Sequence, residues 1–296
     1  AVGFSGNDHV FEFNEMHSVV QRANDAGIIY AGYNPAMRGN IIRHNYFHHV
    51  YGYQGRGANG VYLDDMFCSA AIYGNIFHEV HRAILIGGGR DNVVENNLFI
   101  DCPIAVHVDA RMLNWASRAV EIVKTRLEEV PYREEPWRSR YPELLTYLEG
   151  NYAEPRGNVI VRNVSVGGRF DGIRPDARPF VEPGVNLVDE DPRFVDAANG
   201  DFRLREESPA WAMGFKPIPV ERIGLYASPD RASWPVIHSV RPKASYAPTE
   251  PPPPPPPALQ VRRAVGPVAI DGSLGPDEWF GLHPEQGILL AQNEYG

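Results

Sequence analysis

An asparagine returns again and again in the same local setting through the first two thirds of the chain. No other feature constrains the fold as strongly. Five segments align on it: VFEFNEMHSV (Asn14), NIIRHNYFHHV (Asn45), AAIYGNIFHEV (Asn75), NVVENNLFIDC (Asn97) and NVIVRNVSVGG (Asn163). Each runs apolar, two variable residues, Asn, any residue, a large apolar residue, and a small apolar one shortly after. Asn45 to Asn75 is 30 residues, Asn75 to Asn97 is 22, and Asn97 to Asn163 is 66, which implies a long insertion. A second strand recurs between these units: AGIIYAG, NGVYLDD, RAILIGG and IAVHVDA. Short alternating strands repeated at this period suit a solenoid of stacked coils. Neighbouring coils would lie about 4.8 Å apart. At that spacing the asparagines of one corner can form a ladder, and Asn tolerates the left-handed backbone of a sharp turn. The columns Met16/Phe47/Phe77/Phe99 and Val19/Val50/Val80/Cys102 are expected to fill the interior.

The recurring second strand also carries the chemistry. Aligned on alternation, Val61 matches Ile28, Ile84 and Val106, and Leu63 matches Tyr30, Ile86 and Val108. These point inward, so Ile29, Tyr62, Leu85 and His107 point out. The next outward column is Ala31, Asp64, Gly87 and Asp109. Asp64 and Asp109 then stand two coils apart, about 9.6 Å between backbones, with Gly87 leaving the gap between them empty for a sugar ring. Two carboxylates at such a spacing suit the acid and base of a glycosidase. Asp65 is expected to support Asp64 by proximity or to share a cation with it. Tyr62 offers a stacking ring and His107 a hydrogen-bond donor. Arg90 and Asp91 of GGGRD, and Arg111 beyond Asp109, are candidates for holding an acidic sugar or pairing with the acids. His81, just before RAILIGG, is a further binding candidate. His44, His48, His49, His78 and His81 are expected on different coil faces without compact ligand spacing, so no metal centre is assigned. Ca²⁺ is the one ion the acids would suit, and no other cofactor is implied.

These residues carry a resemblance. The Asn repeats with GVYLDD, IGGGRDNVVENNLFIDC and HVDAR resemble the right-handed parallel β-helix proteins of bacterial carbohydrate metabolism, and family 141-type glycoside hydrolases in particular. It covers about residues 5 to 225. DFRLREESPAWAMGF resembles the closing coil of such chains. The resemblance implies an all-β, right-handed parallel β-helix and a polysaccharide or oligosaccharide as partner. It also implies secretion, to the periplasm or the cell surface. The fold carries other chemistries too. A polysaccharide lyase or epimerase, using Arg90, Arg111 or His107, is one alternative. A non-catalytic carbohydrate-binding surface protein is another.

The domain plan follows. Residues 1–225 form the β-helix. Residues 116–152 form an inserted helical hairpin, because Val120, Val123, Leu127 and Val130, then Trp137, Tyr141, Leu144, Leu145 and Leu148, recur at helical intervals. It starts just past HVDAR and is placed to wall that strand. Residues 226–246 are a post-helix extension, and 247–258 a polyproline linker. Residues 259–296 contain IDG-L and DEW, similar to the opening strands of family 9-like carbohydrate-binding modules, and are read as a truncated β segment. The absence of an initiator Met and the abrupt end suggest a fragment. Net charge is −9 and the 28 basic residues form no cluster, which argues against nucleic acid as a partner. No apolar run is long enough for a bilayer, two cysteines are too few for a disulfide scaffold, and a monomer is expected.

Overall fold

The computed structural model describes residues 1–225 and 239–244. The chain divides into two units, residues 1–246 and 247–296. The polyproline linker and the carbohydrate-binding-like segment lie outside the described residues.

The described chain visits three parallel six-stranded sheets in strict rotation. The first sheet holds Val2–Gly3, Ala26–Ala31, Ala58–Leu63, Arg82–Gly87, Ile104–Asp109 and Arg169–Asp171. The second holds Val10–Glu12, Ile41–Arg43, Ala71–Tyr73, Val93–Glu95, Asn158–Val161 and Val181–Pro183. The third holds Glu15–His17, Tyr46–Val50, Ile76–Val80, Leu98–Ile100, Val164–Val166 and Leu187–Val188. Every neighbour within these sheets is one turn of the rotation away, a stacking consistent with a β-helix solenoid. No helix among the described residues is long and apolar enough to cross a membrane.

The interior columns are as expected. Met16, Phe47, Phe77 and Phe99 stand in register on successive coils. The Phe47, Phe77 and Phe99 rings stack at 5.0 and 5.2 Å. The corner between the second and third sheets carries the ladder. Asn14, Asn45, Asn75, Asn97 and Asn163 each donate Nδ2–H to the Oδ1 of the next, at 2.9–3.0 Å, and Asn186 adds a sixth rung. Each Oδ1 also accepts the backbone N–H of the preceding rung. A second, shorter ladder sits at the corner leading into the second sheet: Asn92 Nδ2 donates to Asn158 Oδ1 at 3.0 Å, and Ala70 takes the Asn place one coil earlier.

Three expectations need correction. First, the second strand of the first sheet, Ala26–Ala31, is shifted by one: Ile29 pairs with Val61, Tyr30 with Tyr62 and Ala31 with Leu63. Ile28, Ile29 and Tyr30 run apolar without alternation, so periodicity could not fix the register. Contacts across to the next coil mark the observed register: Tyr30 faces outward, edge-on to Tyr62 at 5.2 Å, and Gly32 comes beside Asp64. Second, the insertion has one regular helix, Val120–Glu128, burying Val123 and Leu127. Its second arm is a short turn of helix, Trp137–Arg140, then a 3₁₀ segment, Pro142–Thr146. Prolines 136 and 142 remove the amide donors a longer helix needs. Third, DFRLREESPAWAMGF closes no coil. Asp201–Leu204 pairs antiparallel with Phe194–Asp196. Phe202, Ala210 and Phe215 then cover the outward apolar residues Ile76, Leu98, Ile100 and Val164 of the third sheet.

The insertion packs on the corner beyond the first sheet. Met112, Val123, Leu127, Tyr141, Leu144 and Tyr147 form one buried cluster with Ala36, Met66 and Cys68. Arg38, almost wholly buried, ties it down by pairing with Asp91 at 2.9 Å and Glu143 at 2.7 Å. Both cysteines are free, buried thiols.

Candidate functional site

The outer face of the first sheet presents three rows. The middle row is Tyr30, Tyr62, Leu85 and His107. Beyond it, at the strand ends, Asp64, Gly87 and Asp109 follow one another as expected. At the strand starts stand Gly27, Asn59, Arg82 and Ile104. Asp64 and Asp109 are positioned by the last residues of their strands, and Asp65 by the left-handed turn that follows, at φ 21°.

The gap between the two acids is not empty. Arg111 begins the 3₁₀ turn Arg111–Leu113 directly after the strand, so its side chain folds back across the sheet end. Its guanidinium lies on Gly87: a Cβ there would sit 2.6 Å from Cζ. Glycine is required for that close approach. Arg111 donates Nε–H to Asp109 Oδ1 at 2.9 Å and Nη2–H to Asp109 Oδ2 at 2.8 Å. Its Nη1 donates to Asp64 Oδ1 at 2.5 Å and to Asp65 Oδ1 at 3.0 Å. One cation thus gathers three carboxylates, a fork geometry that arginine supplies and lysine does not. Alternation along the strand cannot reveal this, because Arg111 lies past its end.

The acids are not equivalent. Burial and the neighbouring Asp65 push Asp64 above the ordinary carboxylate range, against the pull of Arg111. Burial also works against the charge on Asp109, but His107 and Arg111 overcome it and hold its carboxyl at about 2. Both side chains keep 13% of their surface exposed. Tyr30 donates its hydroxyl to Asp64 Oδ2 at 3.0 Å, and His107 Nε2 stands 3.4 Å from Asp109 Oδ2. The bond to Asp65, with burial, raises the Tyr33 hydroxyl to about 12. Tyr62 donates to Asp25 Oδ1 at 2.8 Å. Trp115, 72% exposed, lies 5.2 Å over the Arg111 guanidinium, a cation–π contact at the rim.

Thus Asp64, Asp65, Asp109, Arg111, Tyr62 and His107 share one face. Arg90, Asp91 and His81 do not join them. Arg90 lies 5.0 Å over the Tyr147 ring and donates Nη1–H to the Tyr147 carbonyl oxygen, so it anchors the insertion. Asp91 does the same through Arg38. His81 is at the opposite end of its strand, with the Gly57 N–H donating to its Nδ1, in a separate 300 Å³ cleft with Tyr51, Glu79, Asp101 and Lys243. The histidines are less scattered than their spacing suggests. His48 and His78 share one column with His17 on the outer face of the third sheet, and His49 packs against both. No group of three or more His, Cys, Asp or Glu among the described residues is arranged to hold a metal ion. Tyr30, Tyr33, Trp115 and Arg82 were not singled out in the sequence. A register one residue off hid Tyr30, and the others carry no periodic signal of a site.

Compared with family models, curated proteins and solved structures, the chain matches none.

Proposed function

We propose that the chain is a right-handed parallel β-helix that hydrolyses glycosidic bonds of a complex polysaccharide outside the cytoplasm, in the manner of family 141-type enzymes. Asp64 serves as general acid and Asp109 as base or nucleophile. The observation that carries this reading is the opposite displacement of two neighbouring carboxyls, Asp64 upward and Asp109 to about 2. Environments that push paired groups apart are how one site runs acid and base chemistry at once. Asp64 holds its proton to higher pH than an ordinary carboxyl, which suits it to give that proton to the leaving oxygen, and Asp109 stays ionised to activate water or attack the sugar carbon. Arg111 keeps Asp109 ionised and receives the charge left on Asp64 once its proton has gone. Trp115 and Tyr33, both exposed, offer ring faces for sugar stacking.

The test is product release from a polysaccharide panel, following reducing ends and ultraviolet absorbance together. Asp64→Asn and Asp109→Asn are each expected to lower hydrolysis by about 10²–10⁴-fold. The wild-type rate should fall on the acid side as Asp109 takes a proton near pH 2, and on the alkaline side above the usual carboxylate range as Asp64 loses its own. Activity that survives both substitutions would sink the assignment. Absorbance from an unsaturated chain end would replace hydrolysis by a lyase reaction. The rival non-catalytic reading draws on Arg111, whose bonds already satisfy both acids. It requires sugar binding with no turnover.

A further inference from the structure

The two best-buried arginines of the described chain meet carboxylates: Arg38 pairs with Asp91 and Glu143, and Arg111 with three aspartates. Arg82 is different. It points out from the start of its strand on the same face as the acids, half-buried beside Tyr62. Among the described residues it has no ion pair. Among those residues its Nε is buried with no partner, and its guanidinium makes only one hydrogen bond, a long one of 3.4 Å from Nη1 to Asn59 Oδ1. Arg90 also has an unpartnered Nε, but Tyr147 covers its guanidinium. Burial lowers the Arg82 pKa, and the pull of Tyr62, Asp109 and Asp25 does not fully reverse this. A guanidinium held in this state gains most from an added oxyanion.

We infer that Arg82 is an anion subsite, taking the carboxylate of a uronic acid unit or a sulfate ester on a sugar chain laid across the outer face of the first sheet. This rests on the reading of that face as a carbohydrate site. Arg82 and Gly87 are five residues apart on one strand, about 17 Å. That is a backbone separation; the Arg82 guanidinium reaches back along the face far enough to feel the charges of Asp109 and Arg111, so the anionic group it takes belongs to the unit between the acids or to its immediate neighbour. Tyr62 and Leu85 form the floor between Arg82 and Gly87. The acids select for reaction, and Arg82 selects which polymer lies across them.

The experiment is calorimetric titration with three probes: trigalacturonic acid, its neutral methyl ester and a sulfated galactose trisaccharide. The wild type is expected to bind one anionic probe about tenfold to a hundredfold more tightly than the neutral ester. Which anionic probe wins distinguishes carboxylate from sulfate. Arg82→Gln should erase that preference while binding the neutral ester as the wild type does, which also reports an intact fold. Arg82→Lys should restore part of it. Equal wild-type affinity for charged and neutral probes, failure of both anionic probes to bind, or an unchanged preference in Arg82→Gln would each overturn the inference. Asp109→Asn should keep the preference while losing turnover. If Asp109→Asn turns over like the wild type but the preference still depends on Arg82, the hydrolase reading falls and the subsite stands.

Discussion

At the residue scale, the decisive group is Arg111. Its removal leaves three largely buried carboxylates facing one another. Arg111→Gln is therefore expected to destabilise the chain by about 3–5 kcal/mol, read from the urea midpoint at pH 7. The acid limb separates this from a packing effect. Asp109 titrates at about 2 in the folded chain against 3.8 ordinarily. A depressed carboxyl adds stability that is complete above the ordinary value and is lost as pH falls through the folded one. The wild type should thus lose about 2 kcal/mol between pH 4 and pH 2 from this group. Asp64, displaced upward, acts with the opposite sign: its charge costs stability at neutral pH, and protonation relieves it. In Arg111→Gln the drop from pH 4 to pH 2 should flatten, because Asp109 no longer has its main cation. An unchanged slope would show that His107 and the backbone, not Arg111, hold Asp109 down. The sequence displayed the acids because they sit within a strand's alternation. It could not display their neutralisation, because that comes from a side chain folded back from beyond the strand end.

At the scale of the element, the coil corner dominates. Asn75 is fully buried. It donates to Asn97 Oδ1 and to the Ile42 and Tyr73 carbonyls, and it accepts the backbone and side-chain N–H of Asn45. Asn75→Ala leaves several buried groups unpaired at about 1–3 kcal/mol each, so a loss of at least about 3 kcal/mol is expected in denaturant unfolding. Asn14, at the half-buried first rung, should cost only about 1 kcal/mol on the same change. If the two losses were equal, the ladder would be ornamental and the core would set the corner. This element was legible because a translational repeat writes the same residue at the same place in every coil. The second ladder was harder to see, because Ala70 interrupts it, and the Ala26–Ala31 strand of the first sheet was misregistered because Ile28, Ile29 and Tyr30 do not alternate.

At the scale of the molecule, each coil contacts only its neighbours, so stability should be greatest where a coil is flanked on both sides. Hydrogen exchange is expected to protect the amides of Ile42, Phe77 and Phe99 most, and to fade toward Val10–Glu12 and Leu187–Val188 at the two ends. Uniform protection would mean that the chain unfolds only as a whole. The insertion and the segment covering the third sheet were the least legible parts. Their contacts are to single corners and faces of the solenoid, and nothing in their own sequence repeats.

The rung from Asn97 to Asn163 spans 66 residues yet closes at 3.0 Å, as does the 22-residue rung from Asn75 to Asn97. Closing a longer loop adds little entropic cost, about 0.6 kcal/mol per doubling. The stack of coils is thus blind to how much chain leaves the first sheet after Asp109 and returns to the second at Asn158. That exit lies beside the acids. New walls can be grafted there, by evolution or by design, while the acidic face and its scaffold stay in register: the chain is a fixed anvil with an interchangeable guide.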